Sequence, residues 1–290
     1  MDATARIRAL PIWKGPVDPV PVGGGITNTN FRVEDGGRRY FVRLGEDIPV
    51  HGVMRFNERA AAIAAHAAGV GPAVVHAAPG VLVFDYLEGR SLEPGDVRRE
   101  LGRVLALVKR AHREIPRHLR GPVLVFWVFH VLRDYAHTLE EANFRLKPEL
   151  PRYLAAAERL ERAVGPITLV FGHNDLLAAN FIDDGARLWL VDWEYAGFNS
   201  PLFDLGGLAS NNELSEAERM WLLEAYFERP VGDELRYRAQ AMLTASLLRE
   251  AMWSMVSEIH SSLDFDYRAY TEENLRRFER ALACFEEMER

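Results

Sequence analysis

The chain has a single cysteine, Cys284, among 290 residues, so no internal disulfide can form and stability must come from a packed core. Long apolar runs are missing too. The most apolar stretch, Val123-Leu124-Val125-Phe126-Trp127-Val128-Phe129-His130-Val131-Leu132, is about half the length a bilayer crossing needs. It is expected to be the buried start of a helix that continues through Tyr135. Met1-Asp2-Ala3-Thr4-Ala5-Arg6 lacks the apolar centre of a secretory leader. There is no excess of basic charge: 35 Lys and Arg stand against 42 Asp and Glu, a net charge of −7. That argues against a general nucleic-acid binder and is compatible with a cationic substrate. These absences lead to the expectation of a soluble protein of the reducing cytoplasm, neither inserted in a membrane nor bound to nucleic acid. They leave monomer and homodimer equally open.

What is present is an ordinary globular composition, 48% hydrophobic and 27% charged, enough for a sizeable core. The front third reads as β-rich. Val20-Pro21-Val22 precedes Gly23-Gly24-Gly25, and Asn30–Val33 is extended. Asp35-Gly36-Gly37 signals a hairpin turn, and Arg39–Leu44 alternates as a half-buried strand does. A helix is expected from Arg55 to Ala68, then strands at Ala73–His76 and Val81–Phe84. Beyond Gly89 the helical period takes over, at Val97–Ile115, Val125–Asn143, Tyr153–Val164, Ser215–Phe227 and Asp233–Ser261, with a last helix from near Thr271. Short strands at Ile167–Phe171, Asn180–Ile182 and Arg187–Val191 interrupt it. The expectation is an α+β chain: a small antiparallel lobe, residues 1–88, and a larger helical lobe, 89–290, with an embedded hairpin. The hinge falls near Asp85-Tyr86-Leu87-Glu88.

The polar stretch Gly172-His173-Asn174-Asp175-Leu176-Leu177-Ala178-Ala179-Asn180 follows directly on the apolar Ile167–Phe171. After the hairpin comes Val191-Asp192-Trp193-Glu194-Tyr195. Taken singly, each residue has a plain structural use: an aspartate can cap a helix and an asparagine can sit in a turn. As an ordered set, with neighbouring strands about 5 Å apart, Asp175, Asn180 and Asp192 can converge on one cleft. Phosphoryl transfer calls for such groups, one carboxylate for the attacking hydroxyl and a carboxylate plus an amide oxygen for Mg2+.

The spacing H-x-D-x-x-x-x-N, followed by a strand and Asp, is that of a kinase catalytic loop and metal motif. With Glu194 where protein kinases have the glycine of D-F-G, the segment Gly172–Gly197 resembles the choline/ethanolamine kinases. These lie within the aminoglycoside-phosphotransferase-like branch of the kinase fold. The resemblance implies a bilobal kinase-like fold with ATP and Mg2+ as cofactors. It makes Asp175 the catalytic base, gives the metal to Asn180 and Asp192 with support from Glu194, and has His173 orient the loop. Asp204, in Phe203-Asp204-Leu205, matches a structural aspartate of the family. Protein kinases are disfavoured, because no D-F-G or A-P-E motif is present.

In the front lobe the turn Gly23-Gly24-Gly25-Ile26-Thr27-Asn28 is neither of the common phosphate-loop patterns, and alone would pass as a glycine-rich hairpin. It resembles the family's short glycine turn, so Gly24, Gly25, Thr27 and Asn28 are assigned to the phosphates. Arg43 stands where kinases carry the strand lysine, with Glu58 as its ion-pair partner, and the backbone at Asp85 and Leu87 takes the adenine. The acceptor side would use Asp175, Glu194, Tyr195, Glu250, Trp253 and Tyr270. Two departures matter. Eukaryotic choline kinases have W-x-x-W where this chain has Glu250-Ala251-Met252-Trp253, and Asn211 replaces an expected acid. The expected activity is phosphorylation of a small cationic amino alcohol, choline first or ethanolamine. Thiamine or aminoglycoside kinases and a nucleotide-binding pseudokinase are the alternatives.

Overall fold

The structure, a computed structural model, describes residues 2–23 and 28–289. The assigned turn residues Gly24, Gly25 and Thr27 lie outside them. The front lobe begins with α1 (Ala3–Arg8) and continues through β1 (Val20–Val22), β2 (Thr29–Asp35) and β3 (Arg38–Leu44). Then come α2 (Arg55–Ala67), β4 (Val74–Ala78) and β5 (Val81–Asp85). The strands form an antiparallel sheet in the order β1-β2-β3-β5-β4. Gly36 and Gly37 both take positive φ, 57° and 77°, which a two-residue turn matching strand twist requires. Alternation along β3 sorts its side chains. Tyr40, Val42 and Leu44 pack with Ile7 of α1 and Val33 in one small core, and so Phe41 and Arg43 point to the opposite face, where both line the interlobe cleft.

The back lobe opens with β6 (Arg90–Ser91), followed by α3 (Pro94–Arg99), α4 (Leu101–His118), α5 (Val128–Glu141) and α6 (Leu150–Val164). Next are β7 (Val170–Gly172), β8 (Phe181–Asp183), β9 (Leu188–Leu190) and β10 (Gly197–Asn199). The chain closes with α7 (Pro201–Asn211), α8 (Glu216–Phe227), α9 (Asp233–His260) and α10 (Tyr267–Met288). β8 and β9 are the expected hairpin, with β6 added at its edge, while β7 pairs with β10. The larger core runs through α2 and most of the back lobe, with α9 at its centre. This is the α+β bilobal architecture anticipated from the sequence. Among the described residues no helix is long and apolar enough to cross a membrane.

Four local expectations need correcting. The helix expected over Val97–Ile115 is two helices. Asp96 accepts the backbone N–H of Glu93 at 3.0 Å as part of a capping box that opens α3, and Glu100, at φ −105° and ψ 20°, leaves helical geometry between α3 and α4. Residues 123–127 are extended rather than helical, because Phe126 N–H and Phe198 N–H bond to Phe198 and Leu124 carbonyls at 2.9 and 3.0 Å. Val125 is consequently 66% exposed. α10 starts at Tyr267, four residues early, where the Asp266 carboxylate caps Ala269 N–H at 2.9 Å. Finally, α7 is not among the expected helices. It is apolar on nearly every side, so it carries no amphipathic period, and Gly206 lets α9 approach until a β-carbon there would stand 3.0 Å from Leu243 Cα.

Candidate active site

The polar stretch is held from below by one buried carboxylate. Asp204, at the start of α7 and 2% exposed, accepts the backbone N–H of His173 at 2.8 Å and that of Asn174 at 2.7 Å. His112 Nε2 reaches the same carboxylate at 2.8 Å, and Tyr226 OH meets His112 Nδ1 at 2.8 Å. Burial alone would raise the Asp204 carboxyl, but the His112 bond and charge hold it below the usual carboxylate range. Asn174 is left-handed, at φ 65°, a conformation asparagine tolerates better than most residues. Its amide donates to the Tyr195 and Gly197 carbonyls at 3.0 and 3.2 Å and accepts from Asn199 at 3.1 Å, so it ties the loop to β10. His173 places Nε2 2.9 Å from the Val191 carbonyl, and its ring packs against Trp193 at 4.7 Å with the planes tilted by 59°. Burial pushes its imidazole below the ordinary range, toward the neutral form.

Asp175 follows and is half-buried. Burial, with Glu250, Asp192 and Glu194 nearby, pushes its carboxyl up to about 8, and the charge of Arg249 opposes the rise. Asn180 Nδ2 donates to the Asp175 carbonyl at 2.9 Å, which orients the amide and leaves its oxygen as the end available to a cation. Asp192, at φ 71°, pairs with Arg43. Burial would raise its carboxyl, but Arg43 holds it low. Arg43 also bonds Glu58 of α2 at 2.9 Å, and both residues are buried. The expected Arg43–Glu58 pair is therefore present, and it reaches Asp192 as well.

Glu194 comes into the same cluster. Arg55 Nη1 lies 2.7 Å from Glu58 and 3.3 Å from Glu194, and Asn28 Nδ2 donates to Glu194 at 3.0 Å. Burial and the charge of Asp192 raise the Glu194 carboxyl. A cavity of about 340 Å³ between the lobes is lined by Phe41, Arg43, Phe84, Leu87, Asn180 and Asp192, among others. Asp85 and Leu87 both border it, and the Asp85 side chain pairs with Arg38 at 2.9 Å outside. Asp175 borders a separate, narrow cavity with Asn211, Arg249 and Glu250.

Of the six residues assigned to the acceptor side, four form two hydrogen-bonded pairs. Trp253 Nε1 donates to Tyr195 OH at 2.9 Å, and Tyr270 OH donates to Glu250 at 2.8 Å. The sequence reading did not single out Arg55, His112 or Arg249. Arg55 and His112 stand among other polar residues of amphipathic helices, so nothing local marks them, and only tertiary packing turns them toward the site. Arg249 adjoins Glu250, but adjacency along a helix gives no sign that it is 4% exposed.

Comparison with known proteins agrees with this geometry. The phosphotransferase enzyme family matches residues 18–254. Human ethanolamine kinase 2 is 29% identical over 219 residues, covering 65% of this chain but 55% of that protein, so the chain spans about half its length. Protein LicA of Haemophilus influenzae is 26% identical over 280 residues, 91% of this chain and 79% of that one. Among solved structures, a choline/ethanolamine kinase family protein from Mesorhizobium loti superposes with a TM-score of 0.77 at 29% identity, over 98% of this chain and 97% of the other. The match of residues 18–254 takes in both lobes and every cleft residue described above, and on that ground the chain belongs to the phosphotransferase enzyme family.

Proposed function

We propose that the chain transfers the γ-phosphoryl group of ATP to the hydroxyl of a small amino alcohol of the choline/ethanolamine class. The observation that carries this reading is the joint placement of Asp175, Asn180 and Asp192. Asp204 anchors the loop that bears the first, a side-chain bond to Asp175 orients the second, and an Arg43–Glu58 pair from the other lobe holds the third. The division into a nucleotide lobe, 1–88, and an acceptor lobe, 89–290, follows from that placement. The human ethanolamine kinase and the choline/ethanolamine kinase family protein of Mesorhizobium loti favour an amino-alcohol acceptor over thiamine or an aminoglycoside.

The donor set suits Mg2+. Asn180, Asp192 and Glu194 offer oxygen ligands only, and among the described residues no three acidic, histidine or cysteine side chains form a complete cage. Mg2+ prefers such sites because it keeps waters and substrate phosphates in its octahedron. When bound it supplies charge neutralisation on the phosphate oxygens. Arg43 can turn its guanidinium to the phosphates from β3, and Asp85 and Leu87 supply backbone polar groups at the adenine end. Asp175 orients the acceptor hydroxyl toward the γ-phosphorus. The new P–O bond forms as the bond to the β–γ bridging oxygen breaks, ADP leaves, and the hydroxyl proton passes to Asp175 late in a loose transition state.

The test is ADP release from Mg-ATP with choline, ethanolamine, thiamine and an aminoglycoside as acceptors. Turnover with an amino alcohol is expected, and Asp175→Asn should abolish it while ADP still protects the fold against heat. Acceptor-dependent turnover surviving in Asp175→Asn would sink the assignment of Asp175.

A further inference from the structure

Residue 88 divides the chain where strands give way to helices, but the packing divides it elsewhere. The sheet has its own core, in which Val33, Val42 and Val83 are fully buried beside Ile7 of α1. α2 does not share it. Ala61, Ala64 and Ala65, also fully buried, belong to the larger core, and α2 packs there against α4.

Hydrogen bonds fasten both ends and the middle of this segment to the back lobe. Ahead of α2, His51 lies 3.2 Å from Tyr135 OH on α5 and 3.2 Å from Ser257 Oγ on α9. Behind it, the carbonyls of Ala68, Gly69 and Val70 accept from Arg110 Nε at 2.9 Å, Arg187 Nη2 at 3.1 Å and the Leu190 N–H at 3.0 Å. In between stands Asn57, which is 0% exposed. Its Nδ2 donates to the Ala196 carbonyl at 2.7 Å, and its Oδ1 accepts the Leu124 N–H at 3.0 Å. Ala196 closes the turn that carries Glu194, its N–H bonding the Trp193 carbonyl at 3.1 Å, and Leu124 belongs to the extended bridge beside β10. Toward the sheet, among the described residues, the one hydrogen bond from α2 to a strand is that of Glu58 with Arg43 of β3, at 2.9 Å. Glu58 and Asp192, the two acids that meet Arg43, are thus both carried by the back lobe.

We propose that residues 51–70 form one cooperative unit with the back lobe, and that Asn57 is a positioning residue for the turn that follows Asp192. The second half rests on the phosphotransferase reading above. Asn57 fixes the Trp193–Ala196 turn against α2, and so sets Asp192 and Glu194 relative to Glu58. It lines neither the interlobe cleft nor the cavity beside Asp175, so its effect on the reaction passes through that turn. Removing its amide leaves a backbone carbonyl and a backbone N–H without their partner, and the turn must shift to satisfy them. The nucleotide sheet is then a separate unit, whose Arg43 is met by two acids of the other.

Native-state hydrogen exchange on the wild type, through sub-denaturing guanidinium chloride and without ligand, tests the unit. The amides of α2 should open with the same free energy and denaturant slope as those of α4 and α9, while those of β2, β3 and β5 open separately with smaller values of both. α2 amides that open with the sheet, or one common opening for all of these elements, would overturn it. Asn57→Leu, which keeps the bulk and removes both bonds, tests the positioning role. The affinity for Mn2+ in the presence of ADP, read by electron paramagnetic resonance, should fall by about tenfold, the scale on which losing a partner behind a metal ligand acts. The Mg2+ concentration for half-maximal ADP release should rise as far, and KM for the acceptor should hold. Unchanged Mn2+ affinity beside a lowered melting temperature would overturn the positioning role. If Asn57→Leu does not fold, Asn57→Ser, which keeps a hydroxyl in the buried site but is too short to reach both partners, reads the same Mn2+ affinity. No acceptor-dependent ADP release from the wild type would sink the phosphotransferase reading and the role of Asn57 with it, while the exchange result would still decide the unit.

Discussion

Asp204→Asn tests how the catalytic loop is held. One carboxylate oxygen takes His173 N–H and His112, and the other takes Asn174 N–H. An asparagine can present its oxygen to only one side. Whichever way the amide turns, its NH2 group then faces a buried backbone N–H. The variant loses one charge-assisted hydrogen bond, about 1.5–3 kcal/mol, and strands a buried donor at about 1–3 kcal/mol more. A net loss of about 3 kcal/mol is a conservative sum, and at about 2–4 °C per kcal/mol for chains of this order it lowers Tm by about 6–12 °C. Because the folded-state pKa of Asp204 is depressed, its contribution is present above the unfolded carboxylate pKa and vanishes as pH falls through the lower folded value. The gap between wild type and variant should therefore be flat from about pH 5 to pH 8 and close only in stronger acid. Calorimetry across that range is the assay. A drop below about 2 °C at neutral pH, or a gap that widens in acid, would refute the account of Asp204 as an ionised anchor.

Two further substitutions probe backbone geometry. Asn174→Gly keeps the left-handed conformation at φ 65° but drops the side-chain bonds to Tyr195, Gly197 and Asn199. Asn174→Ala drops them and adds about 1 kcal/mol of backbone strain. The alanine variant should therefore melt a further 2–4 °C or so below the glycine one, and equal melting points would remove the strain argument. At Gly89 a β-carbon would stand 2.5 Å from the Asp183 carbonyl oxygen and 2.9 Å from Ile182 Cγ2. Gly89→Ala should break the pairing of β6 with β8, which includes the Leu92 N–H bond to Phe181 at 2.9 Å. Faster amide exchange at residues 90–92 would report it, and wild-type protection there would count against it.

The parts of the molecule that could be read in advance are those whose cause is local. The hairpin at Gly36-Gly37 and the alternation that turns Arg43 to the cleft each follow from a few adjacent residues. So does the ordered set Asp175, Asn180 and Asp192, because its members sit on one loop and the hairpin behind it. What was misread depends on partners distant in sequence. Residues 123–127 are as apolar as a buried helix, yet β10 draws them into an extended bridge. α7 is covered on most sides, so burial erased the periodicity that reveals a helix.

The same division separates the reacting groups from the residues around them. The loop supplies the acid and the amide, and its own spelling discloses them. The polar side chains that surround those groups come from elsewhere: Arg55 from α2, His112 from α4 and Arg249 from α9. None of the three changes the motif, yet each fixes what the motif meets. His112 hydrogen-bonds the anchor, Arg55 ties Glu194 to the front lobe, and Arg249 lies over the Tyr195 ring. Arg249 and Asp175 border one narrow cavity although 74 positions separate them in sequence, 249 against 175, and the path between them runs through packing rather than along the chain.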